Sequence, residues 1–478
     1  MQALLLWIDS GEVFTLSSAV KALGYHFMTG HQTTMTPAPN GVEIDPPPPF
    51  ARNVQLLRML CLAAVVGVLG ALAVLAFHQL LLGLEAVLYG SRHGLVADAA
   101  HLPPVIRAVV PALGGLVAGL MLQYILWRGN NETGADYMEA IAAGSTIPLR
   151  SSLLKSAASA ATVVSGGSIG REGSMVQLAA LSGGLLGKVI RLSAVEGRFA
   201  VACGAAAGLA GAYNTPIAGA LFVAEIVLGG ISVISFGPLL LAAAIADSVV
   251  RNVSGAGPIF AASPGVLQSM PELMLVVVVG LAAGLLGPLF IGALNYTHRN
   301  LAQLRMPLCL KMGLAGLAVG GLSVIRPEVW GNGYAVVNSL LHESWLWQSV
   351  LLILVLKVIA TVLTSGSGAV GGVFTPTLFV GAALGTLAGG LAQQVLPGAS
   401  MTAFTLAGMS AFLAAVTHAP LTAVVMISEM TSGYGLVPAL VLASLAGYYV
   451  SSVIHPGSIY ARSIPQNHPT QTRPMTHL

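Results

Sequence analysis

Long runs of apolar residues dominate most of the chain. Residues 59–77 contain 19 positions without a charged side chain, and residues 273–296 contain 24. Between residues 351 and 450, only Lys357 and Glu429 carry a formal charge. A helix of about 20 apolar residues crosses the hydrocarbon core of a bilayer, and bulk water does not surround a hundred residues of this kind. The pattern therefore predicts an all-α, polytopic membrane protein.

Several apolar runs are interrupted by clusters of Gly, Pro and Ser, which makes them too short or too broken for simple spans. These runs are residues 157–170, 204–212, 216–228 and 374–391. A backbone break at membrane depth leaves N–H and C=O groups that only protein or a polar cavity satisfies. Because the breaks cluster around a few polar residues, they favour a transport pathway. Close packing of helices through glycine is the alternative.

Composition narrows the class of protein further. Of the 478 residues, 8% are charged and 55% are hydrophobic, and the net charge is +3, whereas soluble domains are about 25% charged. These values exclude a soluble enzyme, a disordered chain and a basic nucleic-acid-binding protein. The isolated cysteines Cys61, Cys203 and Cys309 offer neither a disulfide framework nor metal-ligand spacing. We therefore expect no metal, no cofactor and no nucleic-acid partner.

Composition also divides the chain into three regions. Residues 1–53 are expected to form a flexible cytoplasmic lead, because the first residues lack the basic start and full apolar core of a signal peptide. Residues 54–462 form the predicted transmembrane domain, with a first half over about 54–250 and a second half over about 270–462. Residues 463–478 form a short polar tail, too short for the paired nucleotide-binding (CBS) domains that some membrane transporters carry.

The two halves contain an internal repeat. Residues 204–216 align with residues 408–420 at a constant offset of 204, and the register continues to Glu225 and Glu429. A Ser/Gly-rich break lies earlier in each half. Two halves with one broken helix each indicate a substrate site where the halves meet, and both parallel and inverted arrangements stay open. The matched positions of the two glutamates predict a structural role, such as bonding to a neighbouring helix end.

Two glycine-rich helix starts are the candidates for anion chemistry. Residues 170–173 read Gly-Arg-Glu-Gly and precede an apolar helical run, and residues 371–376 repeat this design in the second half. Glycine lets an ion approach backbone N–H groups closely, and a helix N-terminus carries about half a positive charge. Two such N-termini aimed at one point would bind an anion and still release it.

Glu172 is the strongest single candidate for a functional residue. A carboxylate beside an anion-binding helix start takes the place of the anion and leaves when it is protonated, so Glu172 would be both gate and proton acceptor. The alternative is an ion pair with Arg171 or a simple complement to the helix dipole. For His418 and Tyr460 the ordinary expectation is an interfacial position. An intramembrane serine protease with His418 as its base is the enzymatic alternative.

Taken together, these motifs resemble the CLC family of voltage-gated chloride channels and proton/chloride exchange transporters, in its bacterial ClcB-like branch. The resemblance covers about residues 55–462. It is carried, in this order along the chain, by residues 136–140, 170–174, 204–225, 330–334, 372–376, 428–431 and Tyr460.

The resemblance implies about eighteen tilted and broken helices in two inverted halves, and a homodimer with one pore in each subunit. Chloride, as the substrate, would be held by backbone amides at two helix starts, and Tyr460 would donate its hydroxyl to the central ion. Glu172 would be the external gate that competes with chloride and takes up a proton. The implied chloride-binding residues are Gly170, Arg171, Glu172, Gly173, Val373, Phe374 and Tyr460.

Three positions depart from the pattern of the family. Its first anion-binding helix usually starts with Gly-Ser-Gly-Ile-Pro, whereas residues 132–136 read Glu-Thr-Gly-Ala-Asp. Thr133 aligns loosely with the serine and would supply the hydroxyl for chloride in its place. Many exchangers carry an inner glutamate directly after the position of Glu225, where Ile226 stands here. No inner proton site is evident unless water or Glu225 substitutes for it. Ser174 replaces a common proline and can cap the same turn.

The sequence thus predicts chloride transport across a bacterial inner membrane, with H⁺/Cl⁻ exchange favoured over a passive voltage-gated channel. A fluoride exporter of the same family is the runner-up, and the presence of Tyr460 weighs against it. A non-transporting membrane enzyme is the alternative from another class. Arg52 and Arg58 before the first span, with Arg462 and Arg473 after the last, predict that both termini are cytoplasmic.

Overall fold

The computed structural model describes residues 49–91, 94–127, 136–144, 146–255, 257–260, 267 and 269–461. Over these residues the protein is all-α, with seventeen α-helices and no β-strand, which confirms the predicted fold class. The compact unit Leu56–Leu478 holds nearly all of them, and the unit Met1–Gln55 contributes only the first turns of α1. Most of the expected lead, Thr133, Arg462 and the expected tail lie outside the described residues.

The first half contains nine of the described helices. They are α1 (Pro49–Tyr89), α2 (Leu95–His101), α3 (Pro104–Trp127), α4 (Tyr137–Ala143), α5 (Leu149–Val164), α6 (Glu172–Val189), α7 (Ala194–Tyr213), α8 (Pro216–Phe222, continued by a π-helical turn over Val223–Val227) and α9 (Val233–Ser254).

The second half contains the other eight described helices. They are α10 (Met270–Gln303), α11 (Leu308–Ile325), α12 (Tyr334–His342), α13 (Trp347–Gly366), α14 (Phe374–Val395), α15 (Met401–Thr417), α16 (Pro420–Thr431) and α17 (Val437–Ile454). In the described part of the chain, eight helices are long and apolar enough to cross a membrane: α1, α3, α9, α10, α11, α13, α14 and α17. The protein is therefore a multi-pass membrane protein.

Local sequence chemistry accounts for several helix boundaries. Ser193 begins α7 with a capping box, in which its hydroxyl accepts the N–H of Glu196 and the Glu196 carboxylate accepts the N–H of Ser193. Ser269 and Glu272 begin α10 in the same way. Gly144, in the left-handed region at φ 71°, ends α4. These exchanges satisfy backbone groups that a helix end leaves unpaired.

The internal repeat is reproduced in the backbone. Asn214 after α7 and His418 after α15 both adopt left-handed conformations, with φ of 52° and 58°. The next residues, Thr215 and Ala419, have φ/ψ of −133°/76° and −128°/76°. A helix with proline at its first turn follows in each half, so the sequence offset of 204 marks a true structural repeat.

The two repeats pack against each other reciprocally. Glu429, at the end of α16, accepts the backbone N–H groups of Ile217 and Ala218 at the start of α8, at 3.0 and 2.9 Å. Glu225, which follows α8, accepts the N–H of Thr422 at the start of α16, at 2.9 Å, and also its hydroxyl. The predicted bonding to a neighbouring helix end is confirmed. The exchange between matched helices agrees with two inverted halves.

Two of the predicted backbone breaks are absent. Residues 204–212 lie inside the unbroken helix α7, and residues 374–391 lie inside the unbroken helix α14. The glycines serve close packing instead: a Cβ at Gly204 would overlap the carbonyl of Ala179 on α6, and a Cβ at Gly408 would overlap that of Gly381 on α14. Here the alternative of glycine-mediated helix packing is the correct one.

Candidate anion site

Two breaks in the backbone shape the site. The first covers residues 165–171 between α5 and α6, and the second covers residues 367–373 between α13 and α14. Each contains a glycine in the left-handed region, Gly166 at φ 93° and Gly368 at φ 99°. A side chain at Gly166 would also collide with the ring of Trp330. Glycine at this position therefore allows both the turn and the close contact.

The two breaks meet at an isolated antiparallel bridge. The N–H of Gly170 donates to the carbonyl of Gly372 at 2.6 Å, and the N–H of Gly372 donates to the carbonyl of Gly170 at 2.8 Å. The starts of α6 and α14 therefore lie side by side. Because the bridge uses both glycine amides, the N–H groups left for an ion belong to the first turns of the two helices.

The Glu172 carboxylate lies over this bridge. The residue is 4% exposed, and its Oε1 accepts a hydrogen bond from Nδ2 of Asn332 at 3.0 Å. Its Oε2 is buried with no hydrogen-bond partner in the described part of the chain, and it occupies the space that a Cβ on Gly170 would need. Among the described residues, no ion pair joins Glu172 to Arg171. The ion-pair alternative for Glu172 is therefore wrong.

A buried lysine organises the loop that carries Asn332. Lys357, on α13, is fully buried, and its Nζ donates to the carbonyls of Val329 and Gly331 at 2.8 and 2.6 Å. The Oδ1 of Asn332 accepts the N–H of Tyr334 at 3.2 Å. Sequence analysis missed both Asn332 and Lys357 as parts of the site. Lys357 offered a signal, because it is one of two charges in a hundred apolar residues.

A cavity of about 450 Å³ adjoins the two helix starts. Five of the seven residues predicted to bind chloride line it: Glu172, Gly173, Val373, Phe374 and Tyr460. Gly170 and Arg171 are not among its lining residues, and Arg171 instead precedes α6 as its half-buried N-cap. The lining also includes the polar side chains of Asp136, Lys155, Ser156, Gln177, Asn295, His298 and Ser365.

Comparison with known families is decisive for the class of protein. The sequence profile described as voltage gated chloride channel matches residues 114–452, most of the transmembrane domain. The chain belongs to the CLC family. A relative in Ralstonia nicotianae, described as a ClcB-like chloride channel protein, is 50% identical over 416 residues, which cover 86% of this chain and 97% of the relative. The ClcB-like branch predicted from the motifs is thereby confirmed.

Solved structures agree on the CLC fold. A slow cyanobacterial Cl⁻/H⁺ antiporter superposes with a TM-score of 0.71 at 23% identity, and the match covers 87% of this chain and 99% of the antiporter. A CLC-type fluoride/proton antiporter superposes with a TM-score of 0.68 at 25% identity, covering 85% of this chain and 98% of the other. The fold alone does not separate chloride from fluoride as the substrate.

Aromatic side chains hold the second CLC helix start in place. The Tyr213 hydroxyl lies 2.9 Å from the hydroxyl of Thr375, and the rings of Tyr213 and Phe374 are 5.2 Å apart. The ring of Phe222 contacts Phe374 and Tyr460 edge-on, at 6.2 and 5.6 Å. Tyr460 thus lies against the cavity, where the family resemblance places it. Tyr213 and Phe222 belong to the repeat segment, but their role was not apparent from sequence.

At the start of α4, side chains accept the first backbone N–H of the helix, so this N–H is not available to an ion. The N–H of Tyr137 donates to Oδ1 of Asp136 at 2.7 Å and to Oε1 of Gln177 at 2.9 Å. Nε2 of Gln177 in turn donates to the hydroxyl of Ser152 at 3.1 Å. The predicted contribution of Thr133 lies outside the described residues. Among the described residues at the start of α4, Asp136 and Tyr137 line the cavity.

The side chain expected to substitute for an inner proton site, Glu225, has another role in the repeat. Ile226 is buried and apolar. The Glu225 carboxylate accepts hydrogen bonds from the N–H and the hydroxyl of Thr422, and it does not line the cavity. Glu225 is therefore occupied as a cap for α16.

The geometry around His418 does not match a serine protease. Its Nε2 lies 3.4 Å from the hydroxyl of Ser451, but that hydroxyl donates to the carbonyl of Ala415 at 2.6 Å. The ring of His418 packs edge-on against Tyr448, and neither His418 nor Ser451 lines the cavity. A serine nucleophile needs its proton directed at the base, and here the proton is directed at a backbone carbonyl.

Proposed function

We propose that this protein carries chloride across a bacterial inner membrane in exchange for protons, with Glu172 as a protonatable gate. One observation carries the proposal: the Glu172 carboxylate is buried over the bridge that joins two helix starts, beside a cavity of about 450 Å³. An ionisable group placed there marks an ion pathway in a membrane protein. The chloride-channel description of a relative at 50% identity supports the choice of ion.

Chloride would bind where the first turns of α6 and α14 meet the cavity. Gly173, Val373 and Phe374 bring main chain to the cavity wall, and Tyr460 brings a hydroxyl. The partial positive charge of two helix N-termini attracts the anion without a fixed cation that would trap it. Chloride is the substrate in this proposal, and the mechanism uses no metal or organic cofactor.

Glu172 would gate the pathway by competing with chloride. When ionised, its carboxylate occupies the region that two positive helix ends make attractive to an anion. When protonated, it loses that attraction and can leave the site to chloride. Its unpartnered Oε2 is the oxygen that would accept the proton. Uptake of the proton and entry of the anion thereby become linked events.

An exchanger moves protons across the membrane in the direction opposite to chloride, whereas a passive channel conducts chloride alone. Glu172 supports proton linkage, whereas Ile226 removes the usual inner acid of exchangers. The similarity to a Cl⁻/H⁺ antiporter supports exchange at the level of the fold. Fluoride export remains the second candidate within the family, because a fluoride/proton antiporter has a comparable TM-score. Tyr460 in the cavity wall favours chloride.

The proposed assembly is a homodimer with one pore in each subunit, as the family resemblance implies. Bacterial relatives and the predicted positive charges near both ends of the membrane domain favour the inner membrane with cytoplasmic termini. Crosslinking of the protein in bilayers, compared with its mass in detergent, tests the dimer. A single species at the mass of one chain in both preparations would contradict it.

Flux through liposomes tests the proposed function. With purified protein in vesicles, an outward chloride gradient should drive protons uphill into the vesicle, and Glu172→Gln should abolish proton movement while chloride still passes. Chloride flux without uphill protons would indicate a passive channel, and a preference for fluoride would indicate the fluoride exporter. Absence of any anion flux, together with hydrolysis of a membrane peptide, would favour an enzyme.

A further inference from the structure

The transport cavity contains a second carboxylate. Among the residues that line it, only Glu172 and Asp136 are acids. They stand on different elements, since Glu172 begins α6 and Asp136 is the N-cap of α4. One Asp136 oxygen accepts the N–H of Tyr137, and the side chain is exposed to the cavity. The anion pathway therefore has two titratable acids along its wall.

Hydration, a hydrogen bond and two neighbouring charges act on the pKa of the Asp136 carboxyl. Asp136 is in none of the eight candidate spans, and partial loss of hydration beside the protein raises the pKa of its carboxyl. The hydrogen bond from the Tyr137 N–H and the charge of Lys155 oppose that rise, and the charge of Glu139 adds to it. Besides Lys155, the other titratable groups that line the same cavity are Tyr137, Glu172, His298 and Tyr460.

Lys155 is the cation that faces this carboxylate. It comes from α5 and lines the same cavity, and its charge acts on both Asp136 and Glu139. An ionised Asp136 would repel a chloride ion in the cavity, and Lys155 reduces that repulsion without removing it. The cavity is therefore most attractive to chloride when Asp136 is protonated.

The repeat leaves no competing inner acid in the described residues. Glu225 and Glu429 are both occupied as reciprocal caps of α16 and α8, and neither lines the cavity. Ile226 is apolar. Asp136 is then the one carboxylate besides Glu172 that a proton reaches through the cavity itself.

We propose that Asp136 is the second proton-accepting residue of the chloride pathway, with Lys155 as the cation that faces it across the cavity wall. The proposal rests on chloride being the ion that enters the cavity. A hydronium ion in the cavity transfers a proton to the Asp136 carboxylate as chloride enters, which forms an O–H bond and leaves a water molecule, and the proton returns to water when chloride leaves. The charge of the carboxylate changes from −1 to 0, and no oxidant or reductant takes part.

Chloride binding measured by calorimetry on the detergent-solubilised full chain tests this assignment without relying on coupled transport. All variants carry Glu172→Gln, so that the gate no longer titrates. In this background chloride affinity should fall about tenfold as the pH is raised and the Asp136 carboxyl becomes ionised. Adding Asp136→Asn should remove most of that fall, and asparagine keeps the helix cap.

Two further variants control for structure and for charge. Glu139→Gln removes a carboxylate of the same helix that does not line the cavity, and it should leave the fall in affinity in place. Lys155→Met removes the cation and should move the midpoint to higher pH. An unchanged pH dependence with Asp136→Asn, or a flat profile in the Glu172→Gln background alone, overturns the assignment to Asp136. Absence of chloride binding at every pH instead overturns the proposed function, and this inference with it.

Discussion

Asn332 donates its side-chain amide to Oε1 of Glu172 at 3.0 Å, and within the described residues this is the single hydrogen bond to the Glu172 carboxylate. The two residues are 160 positions apart and come from opposite halves of the chain. This hydrogen bond helps to hold the Glu172 carboxylate over the bridge between the two helix starts.

Replacing Asn332 should weaken the hold on the gate. A hydrogen bond to a charged group contributes about 1.5–3 kcal/mol, and about 1.4 kcal/mol corresponds to a factor of ten. Asn332→Ala should therefore raise chloride flux in liposomes about tenfold, because the carboxylate leaves its place over the bridge more readily. Asn338→Ala, at an exposed position of α12, is the matched control. Unchanged flux would remove Asn332 from the control of the gate.

Lys357→Met should loosen the loop that presents Asn332. Two buried carbonyls, those of Val329 and Gly331, would lose their charged donor, and an unsatisfied buried polar group costs about 1–3 kcal/mol. We expect a lower melting temperature in detergent and a change of chloride flux in the same direction as with Asn332→Ala. Lys311→Met, whose lysine is half-buried on α11 and donates to the carbonyl of Ala302, should change neither. A stability loss with no change in flux would separate the loop from the gate.

Gly170→Ala should displace the gate. The new Cβ would overlap Oε2 of Glu172 and approach the carbonyl of Gly372 to 2.8 Å. The Glu172 side chain can rotate, but the bridge between the two helix starts cannot shift without separating them. We expect chloride flux to fall at least tenfold and to lose its pH dependence, because crowded main chain adjusts only with strain. Gly292→Ala, at a position with open space around it, should transport normally, and wild-type flux from Gly170→Ala would contradict the geometry.

The reciprocal caps should contribute to stability and not to proton transfer. Glu429→Ala leaves the N–H groups of Ile217 and Ala218 without their acceptor. Ile217 is exposed but Ala218 is buried, and an unsatisfied buried group costs about 1–3 kcal/mol. The melting temperature should fall by several degrees. Glu225→Gln keeps an acceptor for Thr422 and should leave both stability and proton coupling close to wild type. Loss of coupling in Glu225→Gln would restore Glu225 as a substitute for the inner acid.

Some features of the CLC fold could be predicted from the sequence, because these features depend on residues that are adjacent along the chain. Uncharged runs of 19 and 24 residues predicted membrane helices, since the hydrophobic thickness of a bilayer sets the length of a span. The offset of 204 predicted the repeat, and the glycines around Glu172 predicted a helix start. Glycine runs within α7 and α14 were wrongly taken for breaks, because glycine serves close packing as readily as turns.

Other features were decided only by the tertiary structure. The sequence by itself determined a membrane protein of two repeats, with two glycine-rich helix starts and an acid at one of them. Only the folded chain decided that these starts share a bridge, that Asn332 and Lys357 support Glu172, and that Asp136 faces the same cavity. The physical reason is that span length and helix starts depend on adjacent residues. Hydrogen bonds across 160 positions, by contrast, depend on how whole helices pack and leave no periodic pattern in the sequence.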